Sequence, residues 1–160
     1  MNFNQWALAL HVLSAFAYVG GIVLFWVLVV AVRRVDTPEG TLRMAPIVKV
    51  GNAAVGIGAT GTIVIGIYLA FALDSYAIWN GWIIAALVLW AISAELGRRT
   101  GAAYMQGMDK AKELDAAGKP DANAELLALN RTSAGVVLHA LTSLAVLLIL
   151  LDMIFKPGAP

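Results

Sequence analysis

Cysteine is absent from the chain. Without it there can be no disulfide, no thiolate metal site and no covalent c-type haem attachment. Charge is scarce as well: 13% of the residues are Asp, Glu, Lys or Arg, against about 25% in an ordinary soluble domain. A water-soluble fold of this length would have nothing to cover its surface with. Only two histidines and five methionines occur, and Met105 and Met108 are too few for a thioether copper site. The sequence has no phosphate-binding loop, nucleophile triad or zinc motif. No catalytic residue, dedicated metal site or nucleic-acid partner is therefore expected.

Apolar sequence fills the space instead. Hydrophobic residues make up 61% of the chain, and the mean hydropathy is +0.81. Runs of about 20 apolar residues read as membrane-spanning helices, and four such runs occur. Span one is Trp6 to Val32, and span two is Ile47 to Leu73. Span three starts at Gly81 and leaves the apolar zone near Leu96. Span four is Gly135 to Phe155. No positive charge precedes span one, and its apolar run exceeds the roughly 7–15 residues of a signal peptide, so it is expected to be retained. The pattern predicts an all-α, four-helix transmembrane bundle forming a single domain over residues 1–160.

The charges orient it. Arg33, Arg34, Arg43 and Lys49 fall between spans one and two. Arg98, Arg99, Lys110, Lys112, Lys119 and Arg131 fall between spans three and four. Basic residues accumulate on the cytoplasmic side, so both termini are expected outside, in a bacterial inner membrane. Trp6, Tyr76, Trp79 and Trp82 then occupy an outer aromatic belt. In "VDTPEG", Thr37 reads as an N-cap and Pro38 as the first residue of a short helix, which Pro46 ends or kinks. Beyond Leu96, "AAYMQGMDKAKELDAA" stays helical, "GKPD" breaks it and "ANAELLALNR" resumes. Spans three and four thus extend into the cytoplasm as a helical hairpin, read as solvated and without a partner.

Span two carries Ala54, Gly58, Thr62, Gly66 and Ala70 at four-residue intervals. Such a small-residue face lets backbones approach closely. It marks span two as the expected central helix, packed within the chain rather than between chains.

Polar residues inside spans face the protein interior and need a reason. His11 shares a helix face with Ser14, Tyr18 and Gly21. A neutral imidazole there suits a haem or metal ligand, or a hydrogen-bonded core residue. His139 shares its face with Thr142 and Ser143, but it lies near the cytoplasmic boundary, where water can satisfy it. By helix rise the two histidines sit about 20 Å apart in depth, whereas two axial nitrogens on one iron lie about 4 Å apart. They cannot share a haem within one chain. Glu95 is placed to pair with Arg98 and Arg99, and Asp152 is read as interfacial. His11, Tyr18 and His139 are the candidate cofactor-binding residues.

The stretch from His11 through "VLSAFAYVGG", the long apolar run and the arginine pair resembles helix one of CopD-like bacterial membrane proteins. "TGTIVIGIYLA", "NGWIIAALVLWAISA" and the ending "MIFKPG" agree with it, and the likeness is greatest to a four-helix branch of that group. The relatives implied are copper-resistance membrane proteins and a haem-containing protoporphyrinogen oxidase. In that enzyme a helix-one histidine serves the haem, and His11 matches its position; it also uses a lysine in a later helix, which the apolar parts of spans two to four lack here. The leading expectation is a non-enzymatic membrane subunit holding b-type haem through His11. The alternatives are a membrane enzyme of haem biosynthesis and a cofactor-free structural subunit, in a homo-oligomer or a larger membrane complex.

Overall fold

The computed structural model describes residues 2–73 and 77–158. The belt position expected for Tyr76 and the chain end at Pro160 lie outside them. The elements are α1 (Phe3–Val32), α2 (Pro38–Leu42), α3 (Ala45–Ala72), α4 (Gly81–Ala116), α5 (Ala124–Asn130) and α6 (Ser133–Phe155). Four of them, each with its apolar run, are long and apolar enough to cross a membrane. Phe16, Ile57 and Phe155 are 70–74% exposed, which suits lipid and not water.

Local chemistry sets the boundaries. Asn2 and Gln5 form a reciprocal capping box at the start of α1, satisfying two donors that a helix otherwise leaves bare. Thr37 caps α2, with Pro38 in the first turn, as expected. Pro46 does not end α2. It lies in the first turn of α3, where its missing N–H costs no hydrogen bond. Gly118, at φ 64°, turns the chain after α4, and Asn123 and Thr132 cap α5 and α6.

The four long helices form two layers. α1 packs along α3 and α4 along α6, while α1 barely meets α6 and α3 barely meets α4. Span two is therefore not central, because α3 leans almost wholly on α1. Its small residues do pack within the chain. A Cβ at Gly58 would run into the backbone of Tyr18 and the carbonyl oxygen of Ser14, and one at Gly21 would sit 3.0 Å from the Val55 nitrogen. Here the backbones approach so closely that only glycine fits.

α1 also carries most of the ties between layers. Tyr18 Oη and Ser93 Oγ are hydrogen-bonded at 3.0 Å, and Trp26 Nε1 donates to Ser143 Oγ at 2.9 Å. α3 reaches α4 through Trp90 Nε1, which donates to the Ala59 carbonyl at 3.1 Å.

The start of α1, the end of α3, the start of α4 and the end of α6 lie at one end of the bundle, the terminal end. The two longer connections lie at the other, the loop end. There the hairpin expected to stand in solvent is clamped by the first connection. Ala111, Leu114 and Leu126 form a small core with Leu42 against it, and Leu126 is fully buried. Asn130 Nδ2 donates to the Val35 carbonyl and to Thr41 Oγ1, each at 3.0 Å. Asn123 N–H donates to the Asp36 carbonyl, and Arg131 Nε to the Arg33 carbonyl. The apolar side of α2 and α5 is too short to show as periodicity, so this partner was not legible in the sequence. On the outside of the hairpin Lys110 pairs with Glu125 at 3.0 Å and Glu113 at 3.2 Å. Its ammonium is held above its ordinary pKa, chiefly by the hydrogen bond to Glu125 and then by that to Glu113. Glu95 pairs with Arg98 and Arg99 as the spacing predicts.

Candidate functional site

Because the layers touch so little, a cleft opens between them at the terminal end. Its volume is about 260 Å³, and about 1020 Å³ when its open side is counted. Leu8 and His11 of α1 and Gly66 and Ala70 of α3 form one wall. Trp82, Ala86 and Trp90 of α4 and Met153 of α6 form the other. The Trp90–Ala59 hydrogen bond closes the floor toward the loop end. An apolar cleft with very few polar groups is the usual form of a small-molecule site.

His11 is the imidazole on this cleft. Its ring lies flush on α3 because position 66 has no side chain: a Cβ there would be 2.9 Å from His11 Cε1 and 3.4 Å from Nδ1. Thr62 lines the cleft beside it. Thr62 Oγ1 donates to the Gly58 carbonyl at 2.7 Å, inside its own helix. His11 Nδ1 is buried and has no hydrogen-bond partner among the described residues. The Cε1–Nδ1 edge of the ring therefore faces α3 at Gly66 and is shielded from the cleft.

Tyr18 is not brought to the cleft. It is buried below the floor, its hydroxyl taken by Ser93 and its ring packed with Ile22 and Val146. His139 lies farther away still. It is 2% exposed, with its ring 4.7 Å from Trp26 and 6.4 Å from Phe25 between centroids. Aromatic rings of α1, and not boundary water, surround it, and its Nε2 has no partner among the described residues. Phe25 and Trp26 come fourteen and fifteen residues after His11, which is about 21 Å along α1. The separation read from the sequence holds, and the two imidazoles face different parts of the bundle.

Two residues on the cleft were not foreseen. Trp82, assigned to an exposed belt, is 6% exposed and packs with Ala70, Ile83 and Met153. Lys156, just past the last span, ends α6 in a left-handed conformation at φ 42° and lies on the cleft, with Nζ 5.6 Å from the centre of the Trp82 ring. A lysine so close to a chain end carries no periodic signal. Among the described residues no group of three or more His, Cys, Asp and Glu gathers. Comparison with protein families, curated proteins and solved structures finds no match for this chain.

A b-type haem asks for an imidazole with a usable nitrogen, apolar walls that exclude water and room for a flat ring system. The apolar faces of both layers fit the second demand and His11 supplies an imidazole, while a flat ring system finds room only when the open side of the cleft is included.

Proposed function

We propose that this chain is a non-enzymatic integral membrane protein that holds a b-type haem in the terminal-end cleft, with His11 as the ligand to the iron. The observation that carries this reading is the imidazole of His11 in an apolar cleft with one nitrogen unsatisfied. Leaving such a nitrogen unpaired costs about 1–3 kcal/mol, and coordination removes that cost. When bound, the haem supplies one-electron chemistry. The chain's own residues do the rest. Gly66 sets the depth of the imidazole on α3. Trp82, Ala86 and Trp90 keep water from the wall opposite.

The orientation proposed with it places the terminal end outside and the loop end in the cytoplasm of a bacterial cell. Ten of the eleven basic residues support this, since all but Lys156 lie in the two connections or in the loop-end parts of the helices beside them.

A second reading rests on the fit of the His11 ring on Gly66. In it the imidazole is a packing residue of a cofactor-free structural subunit. Purification from cells supplied with excess haem separates the two. The expected result is a Soret band in the wild type that His11→Ala removes and His139→Ala leaves in place, with both variants folded. A colourless wild type would overturn the haem reading and leave the structural subunit.

A further inference from the structure

We infer that the outward face of α4 is the seam of a dimer of this chain, in which Glu95 of each copy is held by Arg98 of the other copy. The inference stands apart from the haem reading and concerns a different surface.

Two stripes run along α4 on opposite sides. Ala86, Ser93, Thr100, Gly107 and Leu114, seven residues apart, are buried. The neighbours of α4 gather on that side: Ser93 meets Tyr18, Gly107 meets Asn130, and Leu114 packs with Leu126 and Leu42. Half a turn away, Val88, Ala91, Glu95, Arg98, Ala102 and Met105 follow one another at alternating steps of three and four. Residues so spaced keep to one face of a helix. Val88 and Met105 are 54% and 44% exposed, and Ala91 and Ala102 are exposed as well.

Depth makes this face unsuited to lipid. Tyr18, hydrogen-bonded to Ser93, stands midway along the 30 residues of α1, and Gly58 of α3 lies against it. Trp6 is twelve residues from Tyr18 toward the terminal end, and Lys49 is nine residues from Gly58 toward the loop end. Those steps are about 18 and 14 Å. Tryptophan and a snorkelling lysine mark membrane interfaces, and the distance between these two matches a hydrocarbon core of about 30 Å. α4 runs parallel to α1, so Glu95 lies about 3 Å and Arg99 about 9 Å from the Tyr18 level toward the loop end, within that core. Arg98 Nε and Nη2 donate to Glu95 at 2.8 and 2.9 Å, and Arg99 Nε donates to it at 2.7 Å. The Arg98 side chain is still 68% exposed and that of Glu95 44%. Charges at such depth belong in a bundle interior or against a partner.

A second copy is the partner this patch fits. The patch carries both signs, so a two-fold axis sets Glu95 of one copy against Arg98 of the other copy, and the reverse. Each carboxylate keeps its own Arg99 and exchanges one Arg98 for another, so no ion pair is lost as the charges leave lipid. Ala91 and Ala102, one turn beyond the two charges, are small enough for the α4 helices to approach closely.

The chain has no cysteine, so one introduced thiol reports one position. The full chain carrying Ala91→Cys, or Val64→Cys as a control 60% exposed on α3, is reconstituted in phosphatidylcholine vesicles with and without phosphatidylglycerol, oxidised and run on a denaturing gel. The expected result is a disulfide-linked dimer from Ala91→Cys in both lipids and little from Val64→Cys. Added to Ala91→Cys, Glu95→Arg alone and Arg98→Glu alone are each expected to lose most of the dimer, and the two proteins reconstituted together are expected to recover it. If Ala91→Cys cross-links no better than Val64→Cys, the seam is wrong, whether or not the charge variants fold. A dimer that phosphatidylglycerol abolishes would overturn the proposal as well, and would assign the charges to a lipid phosphate. A dimer that neither charge change weakens would overturn the exchange of Glu95 and Arg98.

Discussion

At the loop end of the bundle the two layers are bound by a cluster of polar groups around Asn130, whereas at the terminal end they border an apolar cleft. Asn130 donates to the Val35 carbonyl and the Thr41 hydroxyl over a core in which Leu126 and Ala111 are fully buried. His11 and Met153 border open space instead, and His11 Nδ1 has no partner among the described residues. Buried polar groups that are satisfied rigidify a core, and one that is not leaves its desolvation cost uncompensated. The difference puts stability at one end and room for a ligand at the other.

The strongest way to break this contrast is to attack the layer both ends depend on. Gly58→Leu would force a side chain into the Tyr18 backbone, which cannot yield as a side chain could. A loss of about 3 kcal/mol is expected, read as a large fall in thermal stability in detergent. Gly56→Ala, with nothing within 4 Å of the added Cβ, is expected to leave stability unchanged or slightly raised. Equal melting of the two variants would mean that close α1–α3 contact does not hold the layer.

Next comes the loop end. Asn130→Ala removes the donor to Val35 and Thr41 and opens a gap beside Gly107, whose added Cβ would meet Asn130 Oδ1. A cost of about 2 kcal/mol is expected, together with faster proteolysis between Ala117 and Asn123. Haem uptake at the other end is expected to survive. Loss of uptake at unchanged stability would show that the two ends are coupled.

The smallest effect belongs to the outside of the hairpin. Lys110 is held above its ordinary pKa by Glu125 and Glu113. Its pairing therefore stabilises fully below the unfolded value of about 10.4 and is lost as pH rises through the folded one. Glu125→Gln is expected to lower the melting temperature slightly near neutral pH and to bring it level with the wild type at strongly alkaline pH. A gap between the two proteins that widens toward alkali would reverse the sign assigned to this pair.

The four long helices were legible because apolar runs of spanning length need no partner to be recognised. Thr37, Pro38 and the "GKPD" break were legible because caps and turns are local. Glu95 found Arg98 and Arg99 because residues three and four apart on a helix are neighbours. The central helix was misread: a small-residue face announces close packing but not which neighbour takes it, and α1, with larger side chains, makes most of the ties between layers. Trp82 was misplaced because a tryptophan near a helix end looks the same whether it faces lipid or α6. Of the candidate site, His11 was visible as an imidazole in an apolar run, while Met153 and Lys156 lay too close to the chain end to form any pattern with it.

Composition and the lengths of the apolar runs by themselves determined an all-helical chain with four spans and a histidine at each of two well-separated depths. Those properties follow from the solvent that each segment can tolerate and from a rise of about 1.5 Å per residue. Only the tertiary structure decided that Tyr18 is spent on Ser93, that His139 is enclosed by Phe25 and Trp26, and that His11 lies against Gly66 on the wall of a cleft. Those outcomes depend on how helices pair and at what register, and register is set by side chains interlocking between segments far apart in the chain.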